Sequence, residues 1–193
     1  MCGIFAYCSD KADKKELNKL IDEAQERGKD SYGLTIIKEN FSENFYSDDI
    51  TEIKDKVKNT IISGDKCLVI FNSRLVTNGR NHENSQPVIS NNISLVHNGI
   101  ICDYTDLTQN LSIELNFDPS DTVIMSEKIP SYLKSQNLQK LNFYLNSLKG
   151  EISLIIYNEF NKELIYYTNN GSLLKLWNLH NSFRLNRTFK ILQ

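Results

Sequence analysis

Strand-like runs gather at both ends of this 193-residue chain with helical patterns between them. That order predicts an α+β layered domain rather than alternating βαβ units. Three observations carry the prediction: short β-rich apolar runs open the chain, a second β-rich group closes it, and the stretches between repeat apolar residues every three or four positions. No repeat, linker or shift in composition interrupts the chain, so a single domain over 1–193 is expected.

The elements follow in order. Residues 2–7 form a compact apolar run that reads as a buried strand. Residues 14–27 place Leu17, Leu20, Ile21 and Ala24 on one helical face, and Gly28 stops the helix. Residues 32–38 read as a strand with a short partner at 44–47. Residues 48–62 repeat the helical spacing through Ile50, Ile53, Val57 and Ile61, closed by Ser63-Gly64. Two β-rich runs, 67–71 and 93–97, flank a polar stretch at 77–87. Helices are expected at 104–111 and 122–133, the second kinked or shortened by Pro130. Another at 138–148 aligns Leu138, Leu141, Tyr144, Leu145 and Leu148. Strands then follow at 151–157, 163–168 and 173–177, with a weaker one near 183–189.

Composition narrows the class of function. Apolar residues make up 40% and charged residues 24%, which supports a sizeable core and argues against disorder. The formal net charge of -2 gives no footprint for nucleic acid or an anionic membrane, and neither is an expected partner. No apolar run approaches the roughly 18–20 residues that span a bilayer, and the charged stretch 10–19 does not read as a leader, so a cytoplasmic location is expected. Cys2, Cys8, Cys67 and Cys102 form no C-x-x-C pair, and His82, His97 and His180 stand in unrelated contexts. Neither a metal nor another cofactor is expected, and Cys8 and Cys67 read as small buried hydrophobes with reduced thiols.

The chemistry begins at Met1-Cys2-Gly3-Ile4. Trimming of an initiator methionine before a small residue leaves Cys2 with a thiol and an α-amino group on one carbon. The thiol is a strong nucleophile, and the amine can take its proton. Their ordinary pKa values, about 8.5 and about 7.7–8.0, need only modest tuning to make the pair competent near neutrality. A Met-Cys start alone says little; four polar islands downstream give it weight.

These islands are Arg27-Gly28-Lys29-Asp30-Ser31-Tyr32-Gly33, then Ser73-Arg74-Leu75-Val76-Thr77-Asn78-Gly79 with the following Asn84-Ser85-Gln86-Pro87, then Val96-His97-Asn98-Gly99-Ile100-Ile101 at a strand end, and Ser120-Asp121-Thr122 at a helix start. Each has an ordinary reading: Asn98-Gly99 has the composition of a turn, Asp30 and Asp121 that of turn or N-cap residues, and Arg74 that of a solvated surface charge.

Taken in order behind an N-terminal cysteine, with Asp103-Tyr104-x-x-Leu107 and Gly150-Glu151 also in place, they resemble the glutaminase domain of the class II glutamine amidotransferases, which are N-terminal-nucleophile hydrolases. The resemblance runs from Cys2 to about Gly171. It implies an α+β fold of the four-layer αββα sandwich type, with Cys2 at the start of a central strand. It also implies hydrolysis of L-glutamine to L-glutamate and ammonia through a γ-glutamyl thioester on Cys2. The residues matching the family's oxyanion donors are the Asn98 side chain and the Gly99 N–H. Arg74 matches the residue that forks onto the substrate carboxylate, a geometry suited to guanidinium. Asp121 matches the residue that pairs the substrate ammonium, Thr77 adds a polar contact, and Arg27 supports the nucleophile end.

The chain departs from some members at Leu75, where they carry an aromatic residue, and at Asn78, where they carry histidine. These positions shape a lid around 74–79, so altered affinity is the expected consequence. Most members continue into a domain that consumes the ammonia, which makes an ammonia-accepting synthase acting in trans a candidate partner. Two other functions stay open at this point: hydrolysis of a different γ-glutamyl or acyl amide, and a non-catalytic glutamine-binding regulatory module.

Overall fold

The computed structural model describes residues 2–75, 82–102, 117–169 and 189–192. They fall into two compact units: the first holds 2–75 and 85–87, the second 82–84, 88–102, 117–169 and 189–192. The expected helix at 104–111, the strand at 173–177, nearly all of the weaker strand near 183–189, and the lid residues after Leu75 lie outside the described residues.

The first unit is built from β1 (Gly3–Ser9), α1 (Lys14–Gln25), β2 (Ser31–Lys38), β3 (Phe41–Ser47), α2 (Ile50–Thr60) and β4 (Cys67–Arg74). Its antiparallel sheet has the order β1-β4-β2-β3. Both helices start where the sequence offers an acidic cap: Asp13 accepts from the Lys15 and Glu16 amides, and Asp49 from that of Thr51. Each cap satisfies N–H groups that the helix itself cannot, worth about 1 kcal/mol. Strand alternation sends Tyr7, Leu34, Ile36, Val69 and Phe71 to one face, where Leu17, Ile21, Ile53 and Val57 of the helices close the core. Burying each such aliphatic side chain contributes about 1.5–3 kcal/mol.

The second unit holds a short 3-10 turn (His82–Asn84), β5 (Val88–Ser90), β6 (Ile93–Ile101), α3 (Asp121–Lys134), α4 (Leu138–Ser147), β7 (Gly150–Asn158), β8 (Glu163–Thr168) and β9 (Phe189–Leu192). Its sheet has the order β5-β6-β7-β8-β9, antiparallel except for the parallel β8–β9 pair. Ile93, Leu95 and Ile101 of β6 and Ile152, Leu154 and Ile156 of β7 pack on Met125, Ile129 and Leu133 of α3 and Leu141 and Leu145 of α4. The opposite face of the same strands is buried too, and there it carries Ser94, Asn98 and Ser153 as well as Val96 and Ile155.

Each unit thus supplies one sheet layer and one helix layer, the components of the α+β class. No described helix is long and apolar enough to cross a membrane. Two expectations are corrected. Asn98-Gly99 does not close β6 as a turn; the strand runs on to Ile101, with Asn98 opposite Ser153 and Gly99 opposite Ile152. Pro130 does not shorten α3, which continues to Lys134 because Ile124, Met125, Ile129 and Leu133 are buried on both sides of the proline. The Ser120 cap and that packing outweigh the loss of one intrahelical bond.

Candidate active site

In the first unit the chain's front end is held by its backbone. Gly3 pairs with Ser73 across β1 and β4, so Cys2 and Arg74 stand one residue beyond that pair at the same end of the sheet. Arg27 Nε donates to the Cys2 carbonyl at 3.3 Å, from the turn that follows α1. Ser73 Oγ lies 2.5 Å from the Ala24 carbonyl oxygen and 3.4 Å from that of Gly3, tying the last turn of α1 to the start of β1. This approach is so close that a Cβ on Gly3 would collide with the Ala24 carbonyl. Arg74 is buried, with only 6% of its surface exposed, and its carbonyl accepts from the Asp30 amide at 3.0 Å. Nearby in β4, Asn72 Nδ2 donates to Gln86 Oε1 at 3.4 Å.

In the second unit side chains do the holding. Asp121 opens α3, where the helix dipole favours a carboxylate. Its Oδ1 accepts from the Thr122 amide at 2.8 Å, and its Oδ2 from the Ile101 amide at the end of β6 at 3.3 Å. His97 Nδ1 stands 3.5 Å from Asp121 Oδ1 and 3.4 Å from Thr122 Oγ1. Burial pushes the Asp121 carboxyl up, but the hydrogen bond and charge of His97 and the two backbone N–H bonds prevail and hold it below the usual carboxylate value. The helix start is fixed in turn by Asn84, whose Oδ1 accepts from the Ser120 amide at 2.6 Å and whose Nδ2 donates to the Asp118 carbonyl at 2.9 Å.

The Asn98-Gly99 pair lies beside this carboxylate network on β6. Gly99 has φ +151, and a Cβ there would run into the Glu151 carbonyl and come within 2.8 Å of His97 Nε2. Only glycine fits that backbone and that space. Asn98 is buried on the face opposite the helices.

The structure therefore gathers Cys2, Arg27 and Arg74 at one end of the first sheet, and Asn98, Gly99 and Asp121 at one end of β6 with the start of α3. Thr77 lies outside the described residues. Ser73, Asn84 and His97 stand inside the polar islands of the sequence without an assigned role, and all are buried and bonded around these positions. The available signal was a polar residue at an inward strand position: Ser73 continues the Val69–Phe71 face, and His97 the Ile93–Leu95 face.

The model of a family described as "Glutamine amidotransferase domain" matches residues 72–184, more than half of the chain. The chain belongs to that family. Over 180 residues the domain is 29% identical to glutamine–fructose-6-phosphate aminotransferase (isomerizing) of Helicobacter pylori strain J99. Over 187 residues it is 32% identical to a probable glutamine–fructose-6-phosphate aminotransferase (isomerizing) of Acanthamoeba polyphaga mimivirus. Both alignments cover 90% of this chain and 30% of the relative, so the amidotransferase domain spans about a third of the length of these relatives. In structure it is similar to glutamine phosphoribosylpyrophosphate amidotransferase from B. subtilis, with a TM-score of 0.61 and 24% identity, covering 81% of this chain and 35% of that one. That likeness shows the α+β fold.

Proposed function

We propose that this domain hydrolyses L-glutamine to L-glutamate and ammonia. After loss of Met1, the Cys2 thiol gives its proton to its own α-amine and the sulfur attacks the side-chain carboxamide carbon. The tetrahedral oxyanion is received by the Asn98 amide and the Gly99 N–H. Collapse breaks the C–N bond; the ammonium returns the proton and ammonia leaves, forming a γ-glutamyl thioester. Water then cleaves the thioester, with the amine again as base. Arg74 takes the substrate carboxylate and Asp121 its ammonium, with Thr77 as a further polar contact and Arg27 holding the Cys2 carbonyl. The ammonia passes to an acceptor, supplied by a synthase subunit in trans or by a further domain. No cofactor enters this cycle.

The observation that supports this best is Gly99, held at φ +151 inside a strand and packed so that no side chain fits, directly after a buried asparagine. Glycine inside a strand weakens it and marks a place where another backbone or a ligand comes close; here the Glu151 backbone does so, and the proposed oxyanion would be the ligand.

The test is intact-mass analysis after incubation with an electrophilic glutamine analogue, paired with an ammonia-release assay. A single adduct on a Met1-less Cys2, absent in Cys2→Ala, together with glutamine-dependent ammonia, is the expected result. Glutamine binding without an adduct would make the domain a binding module instead. An adduct with ammonia released only from other amides would move the substrate to a different amide class.

A further inference from the structure

We infer that His97 is a positioning residue that sets two parts of the proposed glutamine site with one ring: through Nδ1 the Asp121 carboxylate, and through the bulk of its opposite edge the space beneath Gly99. The inference rests on the glutamine reading and extends it.

The ring is 2% exposed and sits on the helix-facing side of β6, in line with Ile93, Leu95 and Ile101 and opposite Leu154. An aliphatic residue would fill that place without the cost of burying a polar ring. What the imidazole adds is the polar Nδ1 at one end; its far edge acts by volume. Nδ1 is 3.5 Å from Asp121 Oδ1 and 3.4 Å from Thr122 Oγ1, and Thr122 Oγ1 itself lies 3.3 Å from the same carboxylate oxygen. With the Ile101 and Thr122 amides, these groups fix the plane of the carboxylate, while the Asp121 side chain keeps 22% of its surface exposed for a ligand. At the other end Nε2 lies 2.8 Å from where a Cβ of Gly99 would stand, so the ring fills the space beneath Gly99 that its missing side chain leaves. A shift of the ring would turn the carboxylate and open the space beneath Gly99 together.

Two substitutions separate the two ends. Asparagine carries an amide nitrogen about where Nδ1 lies but leaves the Nε2 side empty; leucine fills the volume but has no polar atom. In His97→Asn, glutamine Kd should stay within about threefold of wild type while the limiting rate of Cys2 labelling by the electrophilic analogue falls about tenfold, because misplacement of a reacting group is costly. In His97→Leu, the pattern should cross over: Kd rises about tenfold and the limiting labelling rate stays within about threefold. Thermal melts of both variants check that they fold.

Variants that match wild type in both readouts overturn the inference. So do variants that lose both readouts equally along with melting temperature, since that is what a merely structural histidine gives. Failure of the glutamine reading looks different: wild type itself then neither labels nor binds glutamine, and the inference falls with it.

Discussion

The two units arm similar sheets by different means. In the first, the candidate nucleophile end is fixed through main-chain atoms: the Cys2 carbonyl by Arg27 and the Arg74 carbonyl by the Asp30 amide. In the second, the candidate binding and oxyanion groups are fixed through side chains, with His97, Thr122 and Asn84 converging on Asp121 and the start of α3. A backbone scaffold is sensitive to volume and tolerant of changes in polarity. A side-chain network is the reverse. The sharpest way to break this contrast is Asn98→Ala in the second unit. Removing a donor to a developing oxyanion costs about 2.7–4 kcal/mol, so turnover should fall about 10²–10³-fold. Glutamine binding should stay within about threefold, because the donor matters most in the transition state. Single-turnover labelling alongside equilibrium binding reads both, and an Asn98→Ala protein with wild-type turnover would remove chemistry from this end of β6.

The matching test in the first unit changes volume alone. Gly3→Ala adds one methyl group aimed at the Ala24 carbonyl, with Ser73 Oγ only 2.6 Å from the same point. Overpacking of this kind costs about 1–3 kcal/mol. The melting temperature should drop, and labelling of Cys2 should slow because β1 must move away from α1. A Gly3→Ala protein as stable and as reactive as wild type would mean that the contact between α1 and β1 is loose, and the contrast between the units would blur.

Much of this was legible in the sequence, and the failures share one cause. The strand at 163–168 was read with the bounds it has, because Leu164, Ile165 and Tyr167 are apolar and buried. The helices around Leu17 and Ile21 and around Ile53 and Val57 follow from apolar spacing; the first starts at 14 as expected and each of the other three ends is two residues out. β4 and β6 run beyond the expected 67–71 and 93–97, because the apolar pattern stops at Asn72, Ser73, Arg74, Asn98 and Gly99 while the ladder continues through all of them. Polar residues occur inside these strands, both faces of which are buried, and the proposed site lies at the strand ends, so composition misleads there. The partnerships were less legible still. Ser73 meets Ala24 and Asn84 meets Ser120 across 49 and 36 positions of sequence, and no local pattern encodes such a pairing.

The smallest effect discriminates most finely. Ser73 Oγ has one proton and two carbonyl neighbours, Ala24 at 2.5 Å and Gly3 at 3.4 Å, so the bond to Ala24 dominates. Removing the hydroxyl takes one bond from the Ala24 carbonyl at the end of α1, which keeps the Arg27 amide at 3.1 Å. The loss is about 1 kcal/mol of stability, read as a modest fall in melting temperature. Because Cys2 keeps its own bond from Arg27, Ser73→Ala should leave the labelling rate nearly unchanged while Gly3→Ala slows it. If Ser73→Ala slows labelling as much as Gly3→Ala does, the hydroxyl rather than the close fit of β1 against α1 sets the position of Cys2, and the first unit works by side-chain chemistry as the second does.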